Sequence, residues 1–327
     1  MSRLGVYGAR IALIATLGLG AATPALAGRA PQTEPPASAT APSDQATTLS
    51  SVIVTARPPP KNRAERERAM DHFVRDHAGV THIDRYVRWR EPLCLAVLDA
   101  PPGFGPFMTA RIARIATAVG LKIDPDPKCL ANVEVVFSVY PQQLINRIHE
   151  RHPLLVGYHY ASAEKALLKD DHPVKAWYVT ATVGEGMGDG VTLQSVAAGQ
   201  AVIDTTWTYA QNPSGGLGSH IDDTLLSEFL NVMVIIDQAK VAGQPIGAVT
   251  DYVAMLALSQ PAQGETCGVI PSILDLFTPN CHTDDPPKGL TYGDAGYLKG
   301  LYSADLRLSR GMAESQILET MRRSPGF

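Results

Sequence analysis

Several short stretches of this chain combine residue types that do chemistry in proteins. His149-Glu150-Arg151-His152 sets two imidazoles at i and i+3, where both can share one face of a helix and one metal ion. The pair stands one residue short of the metalloprotease spacing and lies beside Pro153 at the end of a polar helix, so a solvated face is the expectation. Asp170, Asp171 and His172 precede Pro173 and read as an acidic surface turn. The run Gly184–Gly190 is glycine-rich but lacks the lysine of a phosphate loop; after a strand it reads as a hairpin turn. Ser219 and His220 with Asp222 and Asp223 have the types of a nucleophilic triad. Residues so close in sequence rarely adopt triad geometry, and no Gly-x-Ser-x-Gly elbow occurs. Asp204 and Asp237 punctuate strands and read as structural.

The stretch Val249–Gln260, VTDYVAMLALSQ, carries a different signal. It is a strongly apolar helix, expected over 246–259 and ended by Pro261, with a stripe of Ile246, Val249, Val253, Met255 and Leu256. After it come a cysteine-bearing loop, the short segment PSILDLF and the helix-like LTYGDAGYLKGLY. In length, rhythm and order these segments resemble the active-site helix, underlying turn and last helix of the matrixin-type metzincins. Those zinc proteases share a His-Glu-x-x-His-x-x-Gly-x-x-His pattern. The resemblance spans about 92–303, with an insertion around 140–175, and is specific in spacing over 249–302. It places Thr250 at the first His, Asp251 at the Glu, Ala254 at the second His, Ala257 at the Gly and Gln260 at the third His; Leu274 stands where those enzymes have Met.

The zinc chemistry does not carry over. A catalytic zinc needs three protein donors and an open position for water. Ala254 has no donor atom, Thr250 is a poor ligand and Gln260 offers an amide oxygen. Asp251 keeps a carboxylate and is the one weak catalytic candidate, yet it has no metal-bound water to deprotonate. Ala257 removes the glycine that permits a sharp turn, which implies a longer helix. The resemblance therefore implies an α/β (α+β) domain of zincin-like type, a mixed sheet packed against an active-site-type helix and a C-terminal helix, with no metal and no cofactor.

Elements that would position these residues are legible in the patterning. Helices are expected over 62–76, 106–122, 141–152 and 291–303, the last with Thr291 as N-cap and Asp294 at N3. Strands are expected over 92–99, 132–138, 176–183, 201–210 and 229–237, the last so apolar that it reads as an inner strand. A loop is expected over 212–220.

The ends and the cysteines set the compartment. Arg3 and Arg10, a short apolar run and the small-x-small Ala25-Leu26-Ala27 describe a secretory signal peptide cleaved after Ala27. Residues 28–62 are rich in Pro, Ala, Ser and Thr and read as a disordered tether; within it Val52–Thr55 is a short patch of β-formers suited to a docking segment or a linker. One α/β domain then fills 63–327. The four cysteines, Cys94, Cys129, Cys267 and Cys281, suit an exported protein with two disulfides, and Cys94–Cys129 with Cys267–Cys281 keeps both local. A four-cysteine zinc site lacks any C-x-x-C pair.

The chain is 45% hydrophobic and 18% charged, and no later segment is apolar enough to span a bilayer. Its formal charge of −4 becomes −6 once the two leader arginines are gone, which argues against nucleic acid or an anionic membrane as partner. The expected function is non-catalytic: a periplasmic or secreted cell-envelope protein that binds a peptide or another envelope protein. The competing readings are a hydrolase using Asp251 or the His149–His152 region, and a purely structural envelope protein.

Overall fold

The computed structural model describes residues 60–79, 84–151, 168–169, 171–184, 225–261, 267–278, 281, 286–305 and 307–327. The signal peptide, Val52–Thr55, His152, Asp170, Asp204, the Ser219–Asp223 group and the strand and loop expected over 201–220 lie outside these residues. The elements are α1 (Arg63–His77), β1 (Val87–Arg88), β2 (Leu95–Leu98), α2 (Phe104–Ala118), β3 (Val133–Ser138), α3 (Pro141–Arg151), β4 (Val174–Gly184), β5 (Leu225–Asp237), α4 (Ile246–Leu258), a 3-10 turn (Ile273–Phe277), α5 (Tyr292–Ser303) and α6 (Arg310–Arg322).

The sheet is mixed and β5 is its axis. It runs parallel to β3, from Val133 opposite Val232 to Ser138 opposite Asp237, and parallel to β1 at Ser227 and Glu228. On β5's other side β4 is antiparallel, with an irregularity between Val179 and Thr180. Strand β2 pairs in parallel with β3 and forms an edge. Alternation sorts β5 into two faces: Val232, Val234 and Ile236 join the main core, whereas Met233 and Ile235 pack with Trp177 and with Ile145 of α3. Both faces of the strand are buried, as its apolar run Val232–Ile236 requires. The chain passes from β2 into α2 on the main-core face and from β3 into α3 on the other.

The main core collects α1, α2, α4, α5 and α6 over one side of the sheet. Helix α6 was not anticipated, although Ala313, Ile317, Leu318 and Met321 put a buried stripe along it. Tight packing there depends on a small residue of α5: a Cβ on Gly300 would lie 2.9 Å from Ile317 Cγ2 and 3.0 Å from its Cα.

Asn62, the last residue of the expected tether and the first of the expected helix, belongs to the folded unit, since its side chain accepts from the Ala64 N–H at 2.9 Å and caps α1. Helix α4 ends at Leu258, one residue short of the expected 259, with Ser259 extended as its C-cap ahead of Pro261.

Both local disulfides form. Cys94 and Cys129 tie the start of β2 to the loop before β3, with Cα atoms 6.0 Å apart. Cys267 and Cys281 bracket the 3-10 turn, with Cα atoms 5.4 Å apart. Among the described residues no helix is long and apolar enough to cross a membrane.

Candidate functional site

Every residue of α4 from Ala248 to Leu258 is buried, so the helix is core on all sides rather than on one stripe. Thr250 and Ala254 are fully enclosed. The Thr250 hydroxyl donates back to the Ile246 carbonyl at 2.6 Å, a bond internal to the helix. Ala254 packs within the main core cluster.

Asp251 is also fully buried, and its carboxylate is spoken for. Arg111 of α2 donates through Nε to Oδ1 at 2.5 Å and through Nη2 to Oδ2 at 2.6 Å, a two-pronged pairing. The Leu290 N–H adds a third bond, to Oδ2 at 2.7 Å. That hydrogen bonding, outweighing partial burial, raises the Arg111 guanidinium above its usual value. The carboxylate thus ties α2 and the approach to α5 onto α4. A hydrolytic base needs an open face toward its substrate; this one has none.

The carboxyl end of α4 is closed by side-chain donors, two of them aromatic. Trp89 Nε1 donates to the Ala257 carbonyl at 2.7 Å, the Tyr302 hydroxyl to Leu258 at 2.7 Å, and Ser259 Oγ to Met255 at 2.6 Å. These satisfy carbonyls that a helix end leaves without partners. Gln260 then extends toward α1, where its carbonyl accepts from the Gly79 N–H at 2.5 Å. Gly79 is needed there, because a Cβ would lie 2.2 Å from the Gln260 carbonyl oxygen.

The turn beneath is anchored by Asp294 of α5, where the expected capping pair with Thr291 forms. Its carboxyl also receives the Ser272 hydroxyl at 2.6 Å and the Ile273 N–H at 2.8 Å. Burial pushes this acid up to about 7, against those hydrogen bonds. Ser272 and Asp275 form a second capping box around the turn.

Leu274, on that turn, lines a cleft of about 670 Å³ between α1 and the segment Cys267–Thr278. Ala69 and Phe73 of α1 with Ile270 and Leu274 supply apolar lining; Glu65, Arg68 and Asp76 supply charge along one face of α1, which His72 shares. The spacing of that lining depends on Gly293 of α5, where a Cβ would lie 2.6 Å from Ile270 Cγ2 and 2.9 Å from Phe73 Cε2. His77 closes the end of α1, stacked on Phe73 with ring centroids 3.8 Å apart. Burial lowers its pKa to about 4, the hydrogen bond to the Phe73 carbonyl notwithstanding, so the ring is neutral at pH 7.

The other sequence candidates scatter. His149 is half-buried on α3. Asp171 is exposed and paired with Lys240. His172, expected in a surface turn, instead stacks on Tyr252 of α4, with centroids 5.9 Å apart. Asp237 Oδ1 accepts from the Ala239 N–H at 3.0 Å and caps the turn after β5. Among the described residues no group of three or more His, Cys, Asp or Glu side chains could hold a metal ion. Arg111, absent from the sequence candidates, has a signal in the patterning of α2. It lies three residues after Met108 and four before Ile115, which puts a cation on the buried face of α2 and calls for a buried acid. Comparison with protein-family models, with curated proteins and with solved structures returns no match to this chain.

Proposed function

We propose that this chain is an exported cell-envelope protein whose α/β domain binds a peptide or protein segment without catalysis, on a zincin-like scaffold that has lost its metal. The observation carrying the reading is the cleft between α1 and the Leu274 turn: it is open and apolar in lining, and charges rim it. Its size falls within the range of ligand clefts. The order of α4, disulfide-bracketed turn and capped α5 supports the scaffold reading. The triple hydrogen bonding of Asp251 supports a non-catalytic role, since the acid of the resembled motif serves as a core tie. The leader-like N-terminus and the two disulfides support export.

The test is direct. Mature protein, from Gly28 onward, is screened against an immobilised peptide library, with Leu274→Asp, which replaces the apolar wall of the cleft by a charge, as the control. Peptide binding by the native chain that Leu274→Asp abolishes is the expected result. Peptide hydrolysis by the native chain, or zinc bound one-to-one on metal analysis, would overturn the non-catalytic reading.

A further inference from the structure

The cleft carries information about its occupant, which rests on the peptide-binding reading above. Its length follows α1: from Glu65 to Asp76 the helix rises about 16 Å at 1.5 Å per residue. An extended chain covers that distance in about five residues. The apolar lining, at Ala69 and Phe73 of α1 and Leu274 of the opposite wall, reaches close to the Asp76 end, since Phe73 lies about 4.5 Å along the helix axis from Asp76.

The two ends differ in charge. At the Glu65 end, Arg68 stands one turn along the same helix face and offsets the acid. At the other end stands Asp76; Asp275 also lines the cleft. The neighbouring cation there, Arg75, is engaged by Glu314 of α6 at 3.4 Å. Asp76 is exposed and has no ion-pair or hydrogen-bond partner among the described residues. That end of the cleft therefore carries an exposed carboxylate.

We propose that the cleft takes an extended peptide segment that seats one apolar side chain between Phe73 and Leu274 and sets a lysine or arginine at the Asp76 end. The apolar seat supplies most of the affinity, because removing a large side chain from water outweighs an exposed ion pair. The Asp76 end sets direction and preference.

The experiment uses mature protein and a positional-scanning library of amidated, fluorescein-labelled pentapeptides with a fixed central leucine, read by fluorescence anisotropy. Native protein is expected to favour Lys or Arg over Glu at one terminal position by about fivefold, with the preference shrinking in about 0.5 M salt. Asp76→Lys is expected to reverse it toward Glu. Asp76 is a surface residue, so this variant folds, and circular dichroism verifies that it does. Binding that Leu274→Asp abolishes but that shows no terminal charge preference, or the same preference in native and Asp76→Lys, leaves peptide binding standing and overturns this proposal. No binding by any library member overturns both.

Discussion

Asp251 and Asp76 are both aspartates on helices of the main core, and their surroundings give them opposite roles. Asp251 has no exposed surface and accepts three hydrogen bonds, two of them from an arginine that is itself largely covered. Asp76 stands in water on the lip of a cleft, with no ion-pair or hydrogen-bond partner among the described residues. A buried charge is tolerated only when paired, and once paired it fixes helices relative to one another. An exposed charge on a rim contributes little to stability and lies within reach of a partner. Chemistry-bearing residue type alone would rank Asp251 first; accessibility ranks Asp76 first.

That contrast can be broken or sharpened in four ways. The largest effect is expected for Asp251→Ala, which strands the Arg111 guanidinium against the core and should cost about 3–5 kcal/mol in urea unfolding. Replacing both partners, Arg111→Met with Asp251→Leu, should recover most of that loss. A cost below about 1 kcal/mol for the single change would show that the carboxylate is no tie.

Next comes the disulfide that brackets the Leu274 turn. Cys267→Ser with Cys281→Ser reopens a short loop and should lower stability by about 3 kcal/mol. Peptide affinity should fall with it, because Cys267 also lines the cleft. Unchanged affinity in a still-folded variant would separate the turn from the binding site.

Glu228 of β5 gives a pH-dependent counterpart to Asp251, a buried acid with a poor partner. Burial pushes it up to about 7, while Arg90 at 3.4 Å works in the other direction. Its folded value lies above the ordinary 4.5, so its stabilising share is fully present below about 4.5 and is lost as pH rises through about 7. Glu228→Gln should therefore match native stability at pH 4.5 and exceed it by about 2–3 kcal/mol at pH 8. His77 titrates with the opposite sign over an overlapping range, so the quantity to read is the variant-minus-native difference at each pH. A difference independent of pH would remove Glu228 as the cause.

The smallest stability effect belongs to Asp76→Lys, expected within about 0.5 kcal/mol of native by thermal unfolding. A larger loss would mean that Asp76 supports the fold, and the contrast with Asp251 would collapse.

Much of the local structure was readable because it depends on near neighbours. The 3.6-residue rhythm of Met108, Ile112 and Ile115 marks α2, strict alternation marks β3, and Thr291 with Asp294 marks the start of α5. The disulfide pairing was legible for the same reason, since each bond closes a short loop. The candidate site was legible only in part: Leu274 does face a cleft, whereas Thr250, Asp251 and Ala254 are sealed in the core.

By itself, then, the sequence determined that position 254 has no donor atom for a metal and that a lone acid sits one helical step before an apolar run. Both are properties of side chains and need no neighbours. Only the tertiary structure decided what the acid does, because its partner Arg111 lies 140 residues away in the chain. It also decided where an open surface remains, because α1 and the Cys267–Thr278 segment, distant in sequence, meet across one cleft. Long-range pairing and exposure are set by how helices stack on the sheet, and no local pattern encodes them.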